Sequence, residues 1–491
     1  MPLFHCQLER DAKPFSHFWK SVVGSGHAPL ALRADWQAQL KRCREELGFE
    51  SVRFHGLLSA PMDTLICRNH RFYYSFFNIN QIFDFLLSIG MRPFVELSFM
   101  PQTLASGSKT VFHYQSNVTP PRNMAEWSEL VRRLAAHWVE RYGAAEVRRW
   151  HFEVWNEPNL KHFWSGSQQE YFELYRRTVL AIKGVDGELQ VGGPATAKNE
   201  WVEEFLDFCE HNKLPADFVS THHYPTDAFG EPGDDTQTQL SKSRRSVLRE
   251  QAQNANAKAR GKPLFYTEWN TSSNPRDELH DRPYAAAFIT KTILEARGLV
   301  EGYSFWTFSD IFQENYLPSE PFQGGFGLLN IQGIAKPSYR AFELLNRLGD
   351  EILVVDGVHE TVDAWATRRG QTATILLTNH ALPRHEIETE TICLQLAAAR
   401  QPDVVMLERI DEDNANARRL WEAMGRPTYP DQTQLERLHA ASVVRSEPLD
   451  WQYENDTIEI EFPLPPHAVA LVTLQFDAAR HTDRTSGAEC S

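Results

Sequence analysis

Several things are missing from this chain of 491 residues, and each absence removes a class of protein. No apolar run approaches the roughly 20 residues that a bilayer-spanning helix needs, so no membrane span or membrane partner is expected. Basic residues are not in excess: 50 Lys and Arg stand against 65 Asp and Glu, a formal net charge of −15. Nucleic acid and anionic surfaces are therefore poor partners. Cysteine is sparse. The six, Cys6, Cys43, Cys67, Cys209, Cys393 and Cys490, form no CxxC pair and show no zinc-ligand spacing. Neither a disulfide scaffold nor a metal site is expected, and the thiols read as free in a reducing compartment. The opening MPLFHCQLERDAKPF has no basic segment ahead of an apolar run. It does not read as a secretory signal, and a cytoplasmic location is the expectation. No glycine-rich phosphate loop follows the first strand-like segment, and no cofactor is expected.

Aromatic side chains are plentiful, at 12% with 13 Trp and 30 Phe. Large cores use them, and so do sites that stack on sugar faces. Most of the chain alternates strand-like and helix-like segments. The strand-like runs are SVRFHG (51–56), RPFVELSF (92–99), VRRWHFEVWNE (147–157), LQVGGPA (189–195), ADFVSTHHYP (216–225), PLFYTEWN (263–270) and GYSFWTFSD (302–310), with a first strand near FWKSVVGSG (18–26). Eight such units predict a (β/α)8 barrel over 15–349, with a doubly wound open sheet as the weaker alternative. From about residue 350 short β-like runs separated by turn residues predict an antiparallel β-sandwich over 350–478, interrupted by a helical NARRLWEAMG. A polar tail, 479–491, reads as disordered.

In such a barrel the chemistry sits at the C-terminal ends of the strands. The last residues there include His55, Glu96, Phe99, Asn156, Glu157, His222, His223, Tyr224, Glu268, Trp269, Asn270, Trp306, Ser309 and Asp310. Glu157 ends the fourth strand and Glu268 the seventh, on opposite sides of the mouth. Two facing carboxyls are what glycoside hydrolysis requires: one protonates the leaving oxygen, and the other attacks the anomeric carbon or activates water. Pro158 and Trp155 would desolvate Glu157 and raise its pKa, as a general acid needs. Arg53 and Tyr224 are the donors placed to support an ionised Glu268. Asn156 is placed to reach a sugar hydroxyl. By strict alternation Glu153 shares the face of Trp155 and Glu157 and lies lower in the barrel as a supporting group. Glu96 reads as a barrel carboxylate or a sugar contact, and Trp306 as a sugar platform or core. The pair His222–His223 lacks a third residue at metal-ligand spacing.

Taken together, WHFEVWNEPN, THHYP, YTEWNTS, SFWTFSD and VRFHGLL resemble glycoside hydrolase family 39 of clan A, from GSGHA (24–28) to KPSYRAF (336–342). That family contains β-xylosidases and lysosomal α-L-iduronidases. The resemblance implies a retaining double displacement with Glu157 as acid/base and Glu268 as nucleophile. It implies sugar contacts from His55, Asn156, His222, Tyr224 and Trp306. It also implies one from Glu314, where the family carries two adjacent glutamates and this chain has Gln313 first. It implies that the N-terminal segment, 1–14, joins the sandwich. The expected activity is that of an exo-β-1,4-xylosidase on xylo-oligosaccharides or aryl-xylosides, with α-L-arabinosidase or α-L-iduronidase activity as alternatives. A xylose-specific site must fill the space of a hydroxymethyl group, for which Phe99, Phe163 and Phe312 are candidates. Oligomeric state is left open.

Overall fold

A computed structural model of the chain describes residues 1–10, 12–227, 231 and 233–476. Its centre is a closed parallel barrel of eight strands: β1 (Val23–His27), β2 (Ser51–His55), β3 (Arg92–Glu96), β4 (His151–Glu153), β5 (Gln190–Ala197), β6 (Phe218–His222), β7 (Leu264–Trp269) and β8 (Gly302–Phe305). The open-sheet alternative falls away, because β8 pairs with β1 and leaves no edge. Burial on both faces explains why these strands show no clean alternation of apolar and polar residues.

Each strand is followed by a helix whose ends are written locally. Ser167 and Glu170 form a capping box at the start of Gln168–Lys183. Asn123 accepts the Ala125 amide at the start of Met124–Tyr142. Gly48 takes the left-handed conformation (φ 80°) that ends Ala34–Leu47.

Several boundaries differ from the sequence reading; the third, sixth and eighth strands end at Glu96, His222 and Phe305, short of the expected 99, 225 and 310. Residues Phe18–Lys20 form a short 3-10 turn, so the first strand begins at Val23. The stretch 147–157 contains only three strand residues, because Ala144–Val147 is helical and the chain leaves the wall after Glu153. The fifth strand runs two residues longer than expected, to Ala197, through a register shift between Pro194 and Thr196.

The sandwich has a five-stranded and a seven-stranded sheet. Leu3–Gln7 lies parallel to Glu390–Ala397 in the first, and Lys13–Pro14 pairs with Glu351–Leu353 in the second. The chain therefore starts in the sandwich, traverses the barrel and returns. The interrupting helix, Ala417–Ala423, is joined by a second, Gln432–Ala441, that periodicity did not show. Trp421 of this pair packs, with its ring tilted, against Phe322 of the long connection that follows β8. The five described cysteines are unpaired; Cys490 and the 479–491 tail lie outside the described residues. Among the described residues no helix is long and apolar enough to cross a membrane.

Candidate active site

The barrel interior is layered. At its base Val22, Phe94, Phe218 and Phe265 form an apolar plug. Above it lies a layer of charge centred on Arg53, which is fully buried. Arg53 Nε donates to Glu153 at 2.6 Å, Nη1 to Glu268 at 2.9 Å, and Nη2 to Asn156 at 2.8 Å, with Glu96 also 2.8 Å from Nη2. Strand pairing sets Glu96 directly beside Glu153. Two like charges in that position repel, and the guanidinium fork between them offsets the repulsion. His55 Nδ1 adds a bond to Glu96 at 2.8 Å.

The mouth carries Glu157 and Glu268. The wall ends at Glu153, and Trp155 (φ 75°) and Glu157 (φ 43°) then take left-handed conformations. Such residues cost of order 1–3 kcal/mol each and persist only where the surroundings fix them. Here the Glu157 amide donates to Ala195 O at 2.8 Å, and the Trp155 indole donates to Phe163 O at 2.9 Å. Strict alternation therefore fails after Glu153. Trp155 packs edge-on against Trp164 and Phe99, away from the charge layer, while Glu157 swings over the mouth. Across the opening, Glu268 Oε2 accepts the Tyr224 hydroxyl at 3.1 Å and Oε1 accepts from Arg53. One oxygen of Glu157, one of Glu268 and a ring nitrogen of His222 all lie within 4.8 Å of one another.

The site's electrostatics are uneven. Burial pushes the Glu157 carboxyl up to about 7, although the cations His55 and Arg53 pull the other way. Burial likewise lifts Glu314 to about 8, opposed by His55 and reinforced by Glu268 and Glu157. Burial alone would neutralise His55, but Glu96 and Glu268 outweigh it and hold the ring cationic, at about 9. Burial dominates for His222, which falls to about 4. His223 does not join it: its Nδ1 bonds the Tyr224 carbonyl at 2.8 Å.

His55, Asn156, Glu157, Phe163, Tyr224, Glu268, Trp306 and Glu314 line one cavity of about 260 Å³. Arg53 and His222 lie beneath and beside it, hydrogen-bonded to its carboxyls. Of the three candidate phenylalanines, Phe163 lines the cavity. Phe99 stacks behind Phe163, and Phe312 stands edge-on behind Trp306. Trp306 is held flat against β1, where a Cβ on Gly24 would come within 2.6 Å of the indole. Gln313 turns to His27, 3.3 Å away.

Sequence reasoning missed Lys198, Asp227, Phe326 and Thr267. Lys198 escaped because β5 runs past its expected end. Phe326 sits on a connection with no periodic signal. Thr267 immediately precedes Glu268, and a register shift in β6–β7 pairing lets both neighbours reach the interior cluster.

The chain is 49% identical over 465 residues to a β-xylosidase of Caldicellulosiruptor saccharolyticus, covering 93% of this chain and 95% of that protein. It is 39% identical over 449 residues to a β-xylosidase of Geobacillus stearothermophilus, with 87% and 86% covered. The crystal structure of a monomeric β-xylosidase from Caulobacter crescentus CB15 superposes with a TM-score of 0.86 at 33% identity, covering 97% of this chain and 100% of that one. The family model for glycosyl hydrolases family 39 matches residues 3–454, barrel and most of the sandwich together, and this chain is a member of that family.

Proposed function

We propose that this glycoside hydrolase is a retaining exo-β-1,4-xylosidase that releases xylose from the non-reducing end of xylo-oligosaccharides, with Glu157 as acid/base and Glu268 as nucleophile. The observation that carries this reading is the pair of carboxyls with oxygens within 4.8 Å across one small cavity. A separation near 5 Å suits direct attack by the second carboxylate, whereas inversion needs room for a water between them.

In the first step Glu157 gives its proton to the glycosidic oxygen while Glu268 attacks the anomeric carbon. The sugar–oxygen bond breaks, and a glycosyl ester forms. In the second step Glu157, now a carboxylate, takes a proton from water as that water displaces Glu268. Every bond and proton is accounted for by the two carboxyls, the sugar and water. Burial of Glu157 supports the acid role, since it holds the proton up to about pH 7. Arg53 and Tyr224 support the nucleophile by meeting both Glu268 oxygens with donors. The Asn156 carbonyl is occupied by Arg53, which leaves its amide N–H groups to donate to a sugar hydroxyl. His55, Tyr224, Glu314, Phe163 and Trp306 complete the sugar-facing wall. A cavity of about 260 Å³ suits a single terminal sugar, and the names of the two relatives above agree with xylose.

Two measurements test the roles. A 2-fluoro-xyloside should label Glu268, read by peptide mass spectrometry. Glu157→Ala should retain most of its first-step rate only with good leaving groups, and azide should rescue its second step. Label on another residue, or uniform loss without rescue, would overturn the assignment. A panel of nitrophenyl β-xyloside, α-L-arabinoside and α-L-iduronide tests the sugar; preference for either of the last two would overturn it.

A further inference from the structure

Among the described residues, the side chain hydrogen-bonded to Glu157 is His222: Oε1 and Nδ1 are 2.9 Å apart. Both groups are buried, so one proton must lie on that line. The far side of the ring decides who owns it. Arg53 can only donate, and its Nε–H goes to Glu153 Oε2 at 2.6 Å in a buried ion pair, whose carboxylate accepts at both oxygens. Glu153 Oε1 then takes the Thr267 hydroxyl proton at 2.8 Å. A hydroxyl has one proton, so Thr267 Oγ1 can only accept from His222 Nε2, 3.0 Å away. Nε2 therefore carries hydrogen. Burial keeps the ring neutral, which leaves Nδ1 with a lone pair facing Glu157.

We infer that His222 is a positioning residue for the general acid: locked as the Nε2–H tautomer by Thr267 and Glu153, it accepts the Glu157 O–H through Nδ1 and keeps that carboxyl protonated in the free enzyme. This rests on the reading of Glu157 as acid/base. The proton is stored against the ring and delivered when the leaving-group oxygen competes for it. Once it has moved to that oxygen, Glu157 is a carboxylate beside a lone pair, and attraction turns to repulsion. The carboxylate is pushed toward the cavity, where it next takes a proton from the attacking water.

The surrounding charges do not supply this function. Glu157 feels His55, Arg53 and Lys198, which draw its proton away, and Glu96, which opposes them. His222 feels Glu268 and Glu153, which favour a cation, and Arg53 and His55, which disfavour one. Asp227, Tyr224 and Glu314, from the loops after β6 and β8, also feel Glu157. None of them is hydrogen-bonded to it. His222 is.

Thr267→Val tests the chain, because it removes the oxygen that fixes the tautomer. The ring is then free to carry its proton on Nδ1 and donate to an ionised Glu157. In 15N-histidine spectra near pH 6, wild-type His222 should show a protonated Nε2 and a bare Nδ1. Its signals are identified by their loss in His222→Phe, or in His222→Gln should the first not fold. Thr267→Val should move the proton to Nδ1. The alkaline limb of kcat/KM for a phenyl xyloside should fall by about one pH unit or more in Thr267→Val. The same limb for a dinitrophenyl xyloside, which needs little protonation, should shift far less. A wild-type ring protonated on Nδ1 or on both nitrogens, or rates that fall while the limb stays put, overturns the inference. Failure of the underlying reading looks different: Glu157→Ala would lack azide rescue whatever the tautomer.

Discussion

Arg53→Met keeps much of the length of the side chain and removes the guanidinium from the middle of the barrel. That guanidinium has no exposure to water and contacts Glu153, Glu96, Glu268 and Asn156 at 2.6 to 2.9 Å. Removing one partner of a buried ion pair costs about 3–5 kcal/mol, and here one deletion takes the guanidinium from three carboxylates at once, so the upper end is expected. Total stabilities of about 5–15 kcal/mol make this a large fraction. The pH dependence follows from the sign of the shifts. Burial would raise the Glu96 carboxyl, but Arg53 and His55 overcome it and hold the group below its ordinary value. Its contribution is thus present above the unfolded carboxyl value, about 4.3, and lost as pH falls through the lower folded value. In Arg53→Met the main pull on Glu96 is gone, burial raises its carboxyl above that value, and the variant regains stability by taking up a proton as pH falls. The deficit should be largest near pH 8 and should shrink toward pH 5. Urea unfolding followed by tryptophan fluorescence at both pH values measures it. A deficit below about 1 kcal/mol at pH 8, or one that does not shrink at pH 5, would refute the reasoning, since the first is the worth of an exposed pair.

Two further perturbations follow from the same structure. Lys336 is buried with Nζ at 2.6 Å from Asp281 and 2.7 Å from Asp310, so Lys336→Met should cost about 3–5 kcal/mol in urea unfolding. It should also lower kcat/KM, because this triad anchors the connection bearing Glu314 and Phe326; unchanged unfolding and activity would count against it. Gly24→Ala would bring a Cβ to 2.6 Å from the Trp306 indole, so it should destabilise by about 1–3 kcal/mol and raise KM for an aryl-xyloside, read by melting and steady-state kinetics.

The alternation of strands and helices was legible because each element's period and caps are written in consecutive residues. The paired carboxyls were legible because strand ends in a barrel converge. What escaped had a local cause in each case. Glu157 was read as lying on a strand in alternation with Glu153, but two left-handed residues break that alternation. Lys198 was hidden by a bulge that lengthens β5. Thr267 looked like an ordinary strand residue, and its place in the interior cluster depends on a register shift between neighbouring strands. His223 parts from His222 because adjacent strand-end residues face different ways: one ring bonds the Tyr224 carbonyl, the other Glu157.

From its own order of residues the chain settles the eight repeating units, the sandwich texture and the short roster of polar side chains at the strand ends. Local propensity and hydrophobic period act over a handful of neighbours, so they survive being read in one dimension. Only the closed barrel decides which of those side chains meet. Arg53 reaches Glu268 across 215 positions and Glu153 across 100, and Thr267 reaches Glu153 across 114. Those contacts depend on ring closure, strand register and bulges, each set by packing across the whole molecule. The placement of a single proton between Glu157 and His222 depends on all of them at once.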